Sequence, residues 1–286
     1  LMDLIGSLKP LTNDDFANIP ADSAFAQVAN FDLGKFNKFA QESANIVDPN
    51  AGRMIEQNLA EMEKQLGFNP RADLVDALGD RWLIYTSPDT GLFTGLVATV
   101  EVDDYQKLNR ALFAVMRMAQ ADFSISSHII NETTIYTVIF NDEIAVSPSF
   151  ALTDKELIVS LYPQPIRAHL TRPSGKTLAN VESVAKALEK DSPPSSILYL
   201  DTKRAFELAY PFIQGTYSMM CNALKREGIN LDPAMLPSAG AIHRHLDNAL
   251  LTSTVVENGI VFERQQQFPG GSIGATTAFA LGVTLP

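Results

Sequence analysis

The sequence predicts an α+β protein: antiparallel sheets with helices packed on one face, in two related lobes. Three observations predict it. Short strands with alternating apolar and polar residues occur in runs joined by turn chemistry. That is unlike the strict strand–helix alternation of a doubly wound nucleotide-binding sheet. Two of the strands end at an aspartate, Asp32 and Asp201, that opens a helix. The order of elements after the first aspartate returns after the second.

Residues 1–23 are polar and irregular, broken by Pro10 and Pro20, and the first 19 read as a lead-in segment. Ala24 to Phe31 (AFAQVANF) has the period-2 alternation of a half-buried strand. Asp32 follows at an N-cap position, where its carboxylate can accept the free amides of the first helical turn. A helix over Leu33–Ile46 places Phe36, Phe39 and Ala40 on one face, and Pro49 stops it. A second helix, Ala51–Leu66, carries Met54, Ile55, Leu59, Met62 and Leu66 near the 3.6-residue period and ends at Gly67. A short third helix covers Leu74–Leu78.

Arg81–Thr86 and Leu92–Val100 form a hairpin across Ser87-Pro-Asp-Thr-Gly91. A helix over Asp103–Ala119 turns Tyr105, Leu108, Leu112, Val115, Met116 and Ala119 inward. Four short strands follow: 123–130, 133–140, 145–152 and 157–161. Helices at Pro165–Leu170 and Thr177–Lys190 close the first lobe. The second lobe begins after Asp191-Ser-Pro-Pro-Ser195, where two prolines in a polar stretch break any helix. It holds a strand at 197–200, a helix at 202–227 bent near Pro211 and Gly215, a helical stretch from Pro237 to Asp247, and a hairpin across Asn258-Gly259. The lobes span 20–190, with a strand-rich insert at 101–162, and 191–270. Residues 271–286 read as a flexible tail.

The lobes match in order: strand, Asp, helices, Pro, short helix, Asp, hairpin. Asp32, Pro70 and Asp80 align with Asp201, Pro237 and Asp247. This predicts an internal duplication, with two similar lobes packed on a shared sheet or face.

Composition limits function. Of 286 residues, 46% are apolar and 19% charged, which fits a buried core and argues against disorder. The net charge of −11 repels phosphate backbones and anionic lipid headgroups, so nucleic acid is excluded as the main partner. A single cysteine, Cys221, rules out an intramolecular disulfide. No run of 18 apolar residues predicts a membrane span. The opening Leu1-Met2-Asp3 has no charged-then-apolar leader, so no signal peptide is expected in this sequence.

The candidate sites each have a plainer reading. Gly270-Gly-Ser-Ile-Gly274 fits the nucleophile-elbow string but has no Asp, Glu or His after it. Gly175-Lys176-Thr177 resembles the end of a phosphate loop, yet Leu170 stands where the first glycine belongs. His243 and His245 are spaced by two, so their side chains diverge on a helix. Glu257 or Glu263 could complete a metal site with them, but nothing in the spacing demands it. Cys221 lies on an apolar helix face and reads as core. Asp32, Asp80, Asp201 and Asp247 read as caps and turn residues. Trp82 reads as core, and His128 and His169 as structural. Met219, Met220, Phe212 and Tyr217 make a sulfur- and aromatic-rich helix whose default place is the core, with a partner or lipid groove as the alternative. No catalytic, cofactor-binding or metal residue is assigned, and no cofactor is expected.

The phrases IPADSAFAQVANFD, LGDRWLIYTSP and FALTDKELIVSL resemble a group of uncharacterised bacterial extracytoplasmic proteins. The matching features are Ile19-Pro20-Ala21-Asp22 before a strand ending in Asp, Leu78-Gly79-Asp80 before a hairpin, and Thr153-Asp154-Lys155-Glu156-Leu157 between strands. The resemblance covers most of residues 19–268. It implies export to the periplasm or cell surface, with a terminal tether outside the sequence at hand, and brings no catalytic residues. The expected function is therefore a non-catalytic extracytoplasmic binding or structural protein, partnered by a protein or a small apolar ligand. The alternative is a hydrolase-type enzyme assembled only in three dimensions, around His243 and His245.

Overall fold

The computed structural model describes residues 5–266, apart from 7, 49, 89, 92–93, 119–122, 141–144 and 174. The Gly270–Gly274 string and the tail 271–286 therefore lie outside the described residues. The strands are β1 (Phe25–Asn30), β2 (Leu78–Thr86), β3 (Leu96–Val102), β4 (Phe123–Ile130), β5 (Thr133–Phe140), β6 (Ser149–Leu152), β7 (Glu156–Ser160), β8 (Ser196–Leu200), β9 (Ala249–Val256) and β10 (Gly259–Gln265). They form one 10-stranded sheet in the order β10-β9-β8-β1-β2-β3-β7-β6-β5-β4. Every pairing in it is antiparallel.

The α+β antiparallel class is as the sequence predicts, but the helices cover both faces of the sheet, not one. Strand periodicity explains this. In β7, Ile158 points to one face and its neighbour Leu157 to the other. Ile158 joins Val28, Tyr85, Val97 and Ile197 in the main core, beneath α5 (Pro163–Thr171) and α6 (Glu182–Leu188). Leu157 and Leu152 pack instead with Ala77, Val102 and Leu108. Leu108 belongs to α4 (Tyr105–Met118), and α1 (Leu33–Val47) and α2 (Ala51–Leu66) stand beyond it. β3 and β7 are apolar on both sides, and the sequence's alternation is weakest there.

The lead-in segment is part of the core. Leu11, Phe16 and Ile19 are all buried, and a 3₁₀ turn at Asn13–Phe16 delivers the aromatic ring. Leu11 N–H donates to the Pro194 carbonyl at 2.7 Å, Asn30 Nδ2 donates to the Lys9 carbonyl at 3.1 Å, and Pro20 bridges Thr177. The predicted break at 191–195 leads straight into β8, whose whole length pairs with β1.

Two caps form as expected. Asp32 accepts from Lys35 N–H at 2.8 Å, and Asp201 from Arg204 N–H at 3.0 Å, opening α7 (Thr202–Arg226). Asp80 and Asp247 do not cap helices. Asp80 lies within β2 and pairs with Lys9 at 2.8 Å. Asp247 accepts from Asn248 N–H at 2.9 Å, and its carbonyl accepts the Thr202 hydroxyl. The third helix comes earlier than the periodicity suggests: α3 is Pro70–Asp73, because Asn69 accepts from the amides of Arg71 and Ala72 and Pro70 fits the first turn, and the expected stretch 74–78 holds a 3₁₀ turn at Val75–Ala77. The stretch before β9 is likewise shorter, with α8 at Ala239–His243.

Candidate functional site

Two arrangements stand out: a sealed string of titratable side chains on the first face, and an open apolar arm on α7.

The string begins at Glu156, the first residue of β7. Its Oε1 meets Nε2 of His169 at 2.8 Å. Nδ1 of the same ring meets the Tyr85 phenol at 2.7 Å, and Arg172 Nη1 donates to that phenol at 3.3 Å and to the Asn18 carbonyl at 2.9 Å. The guanidinium also lies 5.5 Å from the centre of the Tyr85 ring. Donor inventory fixes the direction of the bonds. Arg172 can only donate, so the phenolic O–H must find its acceptor at Nδ1. That leaves the proton of a neutral His169 on Nε2, aimed at the Glu156 carboxylate. A doubly protonated ring would strand the Tyr85 hydroxyl with donors on both sides.

These groups resemble a proton relay, but they are closed in. Tyr85 is fully buried and the His169 side chain is 3% exposed. Burial pushes the Tyr85 phenol up to about 12, against the opposing pull of Arg172. The arrangement ties four segments together: the lead-in, β2, β7 and α5. Sequence reading found no partner for His169 because Glu156 is thirteen positions away and on another element.

The remaining candidates stay apart. His243 Nε2 lies 3.4 Å from Glu207 on α7, with both side chains well exposed. His245 falls beyond the end of α8, and Glu263 is taken by Lys190. Among the described residues, no group of three or more His, Cys, Asp or Glu could hold a metal ion. Two shallow clefts of about 350 and 270 Å³ include neither histidine nor Cys221. Cys221 is buried, and Trp82 is half-buried with Nε1 donating to the Phe31 carbonyl at 3.1 Å. His128 lies on β4 and is exposed.

The α7 arm departs from expectation. The sulfur- and aromatic-rich stretch lies on the surface. Phe212 is 73% exposed, Met219 74% and Met235 75%, and Met220, Ile213 and Ile229 are also exposed. The helix runs on through Pro211 and packs chiefly against α8 and the 3₁₀ turn at Pro233–Met235. The Tyr210 hydroxyl, donating to the Pro237 carbonyl at 2.7 Å, anchors its base. Along Pro211–Met235, Lys225 and Arg226 cancel Glu227 and Asp232, so the arm is neutral in a chain of net charge −11.

No protein-family model matches the chain, and no curated protein matches it. Among solved structures, TP0453 in crystal form III aligns with a TM-score of 0.41 at 11% identity, over 97% of this chain and 86% of that one. Crystal form I of TP0453 gives 0.39 at 10% identity, over 95% and 85%. Similarity at this level carries no functional argument. No helix among the described residues is long and apolar enough to cross a membrane.

Proposed function

We propose that this chain is a non-catalytic extracytoplasmic binding or structural protein, and that the α7 arm is its contact surface for an apolar partner. The observation that carries this reading is the exposure of Phe212, Met219 and Met235 on one neutral arm. Exposed apolar groups gathered in one place mark interaction sites, and methionine adapts its shape to the surface it meets. The sealed Glu156–His169–Tyr85 string fits the non-catalytic half of the reading, since no substrate reaches a fully buried phenol. Export is supported by the resemblance carried by IPADSAFAQVANFD and LGDRWLIYTSP.

The test uses Nile red, a neutral apolar probe, with native protein. Wild type is expected to enhance its fluorescence. The Phe212→Ser/Met219→Ser/Met235→Ser variant is expected to lose the enhancement with its melting temperature unchanged. A wild type that leaves the dye dark, or a variant that binds it equally, removes the arm from the reading. Recovery of the protein in the cytoplasmic fraction of its source cells removes the compartment.

The same reading includes the duplication. β2 and β3 extend from β1 as β9 and β10 extend from β8, and β1 and β8 pair with each other. Val28 pairs with Leu83 as Ile197 pairs with Thr252, a common displacement of 169 positions that also takes Asp32 to Asp201. By this register Asp80 corresponds to Ala249, not to Asp247. An experimental structure in which 24–100 fails to superpose on 196–267 would end this part of the proposal.

A further inference from the structure

An open sheet has two edges, and here they differ chemically. The β10 edge carries Glu263 and Arg264, with Lys190 reaching to Glu263. Charge of this kind is how edge strands repel a second sheet. The β4 edge, FSISSHII, has no Asp, Glu, Lys or Arg and no proline, and its partner TTIYTVIF has none either. Among the described residues, β5 is the one strand beside it.

The outward-facing backbone groups follow from the pairing. Val138 N–H donates to the Pro148 carbonyl at 2.8 Å, so Val138 and, two positions away, Tyr136 turn their backbone toward β6. Ile135, Thr137 and Ile139 between them turn toward β4, where they face His128, Ser126 and Ser124. Those three β4 residues bond to β5. Phe123, Ile125, Ser127 and Ile129 therefore present their N–H and C=O groups to the open side. Ile129 is also 69% exposed. Behind this edge, Phe113 of α4 is partly exposed and meets Tyr136 edge-on at 5.4 Å, widening the apolar surface.

We infer that β4 is a self-association edge, at which two copies of this chain pair β4 to β4, antiparallel, about a two-fold axis through Ser126. In this register Ile125 lies opposite Ser127 and Phe123 opposite Ile129. All four outward-facing residues of each strand then exchange both backbone bonds. A slip of two positions leaves one of the four unpaired on each strand. A slip of one sets outward groups against inward ones. Phe123 covers the exposed Ile129 of the other copy, and Ser124 meets His128. β4 itself has no charged side chain, so no like charges face each other along the paired strands.

The test is the mass in solution by size exclusion with light scattering, from micromolar to near-millimolar protein. Wild type is expected to reach twice 31.2 kDa. Ser127→Pro removes an N–H that β5 does not use, and Ile129→Lys charges an exposed position. Each is expected to weaken the dimer at least tenfold while keeping the native circular dichroism. In a Cys221→Ala background, Ser126→Cys lies opposite its own copy and is expected to form a covalent dimer under mild oxidation. Ser124→Cys, opposite His128, is expected not to. A wild type that stays monomeric, a dimer that survives both edge substitutions, or equal cross-linking of the two cysteine variants overturns the inference. The arm variant should dimerise normally, so this inference and the proposed function fail separately.

Discussion

The phenol of Tyr85 and the imidazole of His169 meet at 2.7 Å in a place that neither shares with solvent. The bond holds the last turn of α5 to the centre of the sheet, and Glu156 and Arg172 complete it at either end.

Tyr85→Phe keeps the ring and removes the oxygen. Nδ1 of His169 and Nη1 of Arg172 then each lose a buried contact. A buried polar group left without a partner costs about 1–3 kcal/mol. The melting temperature should fall by several degrees. A variant that melts with the wild type would show that the string contributes nothing to stability.

The same phenol sets an alkaline limit. Its folded value lies near 12, above the ordinary value of 10.0, because burial disfavours the phenolate. A group raised on folding stabilises fully below its unfolded value, and the stabilisation is lost as pH climbs through the folded one. The expected contribution is about 2–3 kcal/mol, constant up to the ordinary tyrosine value and declining above it. Urea midpoints measured across that range should fall in the wild type more steeply than in Tyr85→Phe; parallel curves would refute the assignment.

Phe16→Ala should be among the costlier substitutions in the chain. The ring is fully buried in the main core, and truncating a buried Phe costs about 3–5 kcal/mol. If the lead-in were only a connector, chemical denaturation would place the variant within experimental error of wild type.

Asp32, Asp201 and Asp80 should separate by role. Asp32→Ala and Asp201→Ala each remove an N-cap, worth about 1 kcal/mol. Asp80→Ala removes an ion pair whose lysine is 70% exposed, worth about 0–1 kcal/mol. Thermal melts in which Asp80→Ala is the most damaging of the three would contradict the assigned roles.

The sequence reveals what local chemistry decides. Asp32 and Asp201 read as caps because a cap is a contact over three residues. The β9–β10 hairpin reads from Asn258-Gly259, although the turn itself falls one residue earlier, on Glu257-Asn258, and Gly259 opens β10 opposite Val256. Phe16 is hidden among polar neighbours, since burial by a distant sheet leaves no local period. His169 is hidden for the same reason: its carboxylate arrives from another element. The α7 arm misleads in the opposite direction. Its apolar stripe has helical spacing whether a core or open water lies beside it, and periodicity alone cannot tell which.

The position of β1 has a further consequence, for how the chain reaches this state. β1 is the seventh strand from the β4 side, with β2, β3, β7, β6, β5 and β4 outward of it, and on its other side it needs β8, which begins at Ser196. Loops of this length close slowly, and contacts so far apart in sequence lower folding rates. While the chain is being made, β1 must wait with one side bare until about two-thirds of the residues have emerged. During that interval Ala26 and Val28 stand beside unpaired amides, a template for any other extended chain nearby. The vulnerable moment of this protein therefore comes before β8 arrives, and a product cut short within 174–195 should aggregate rather than accumulate as a folded first half.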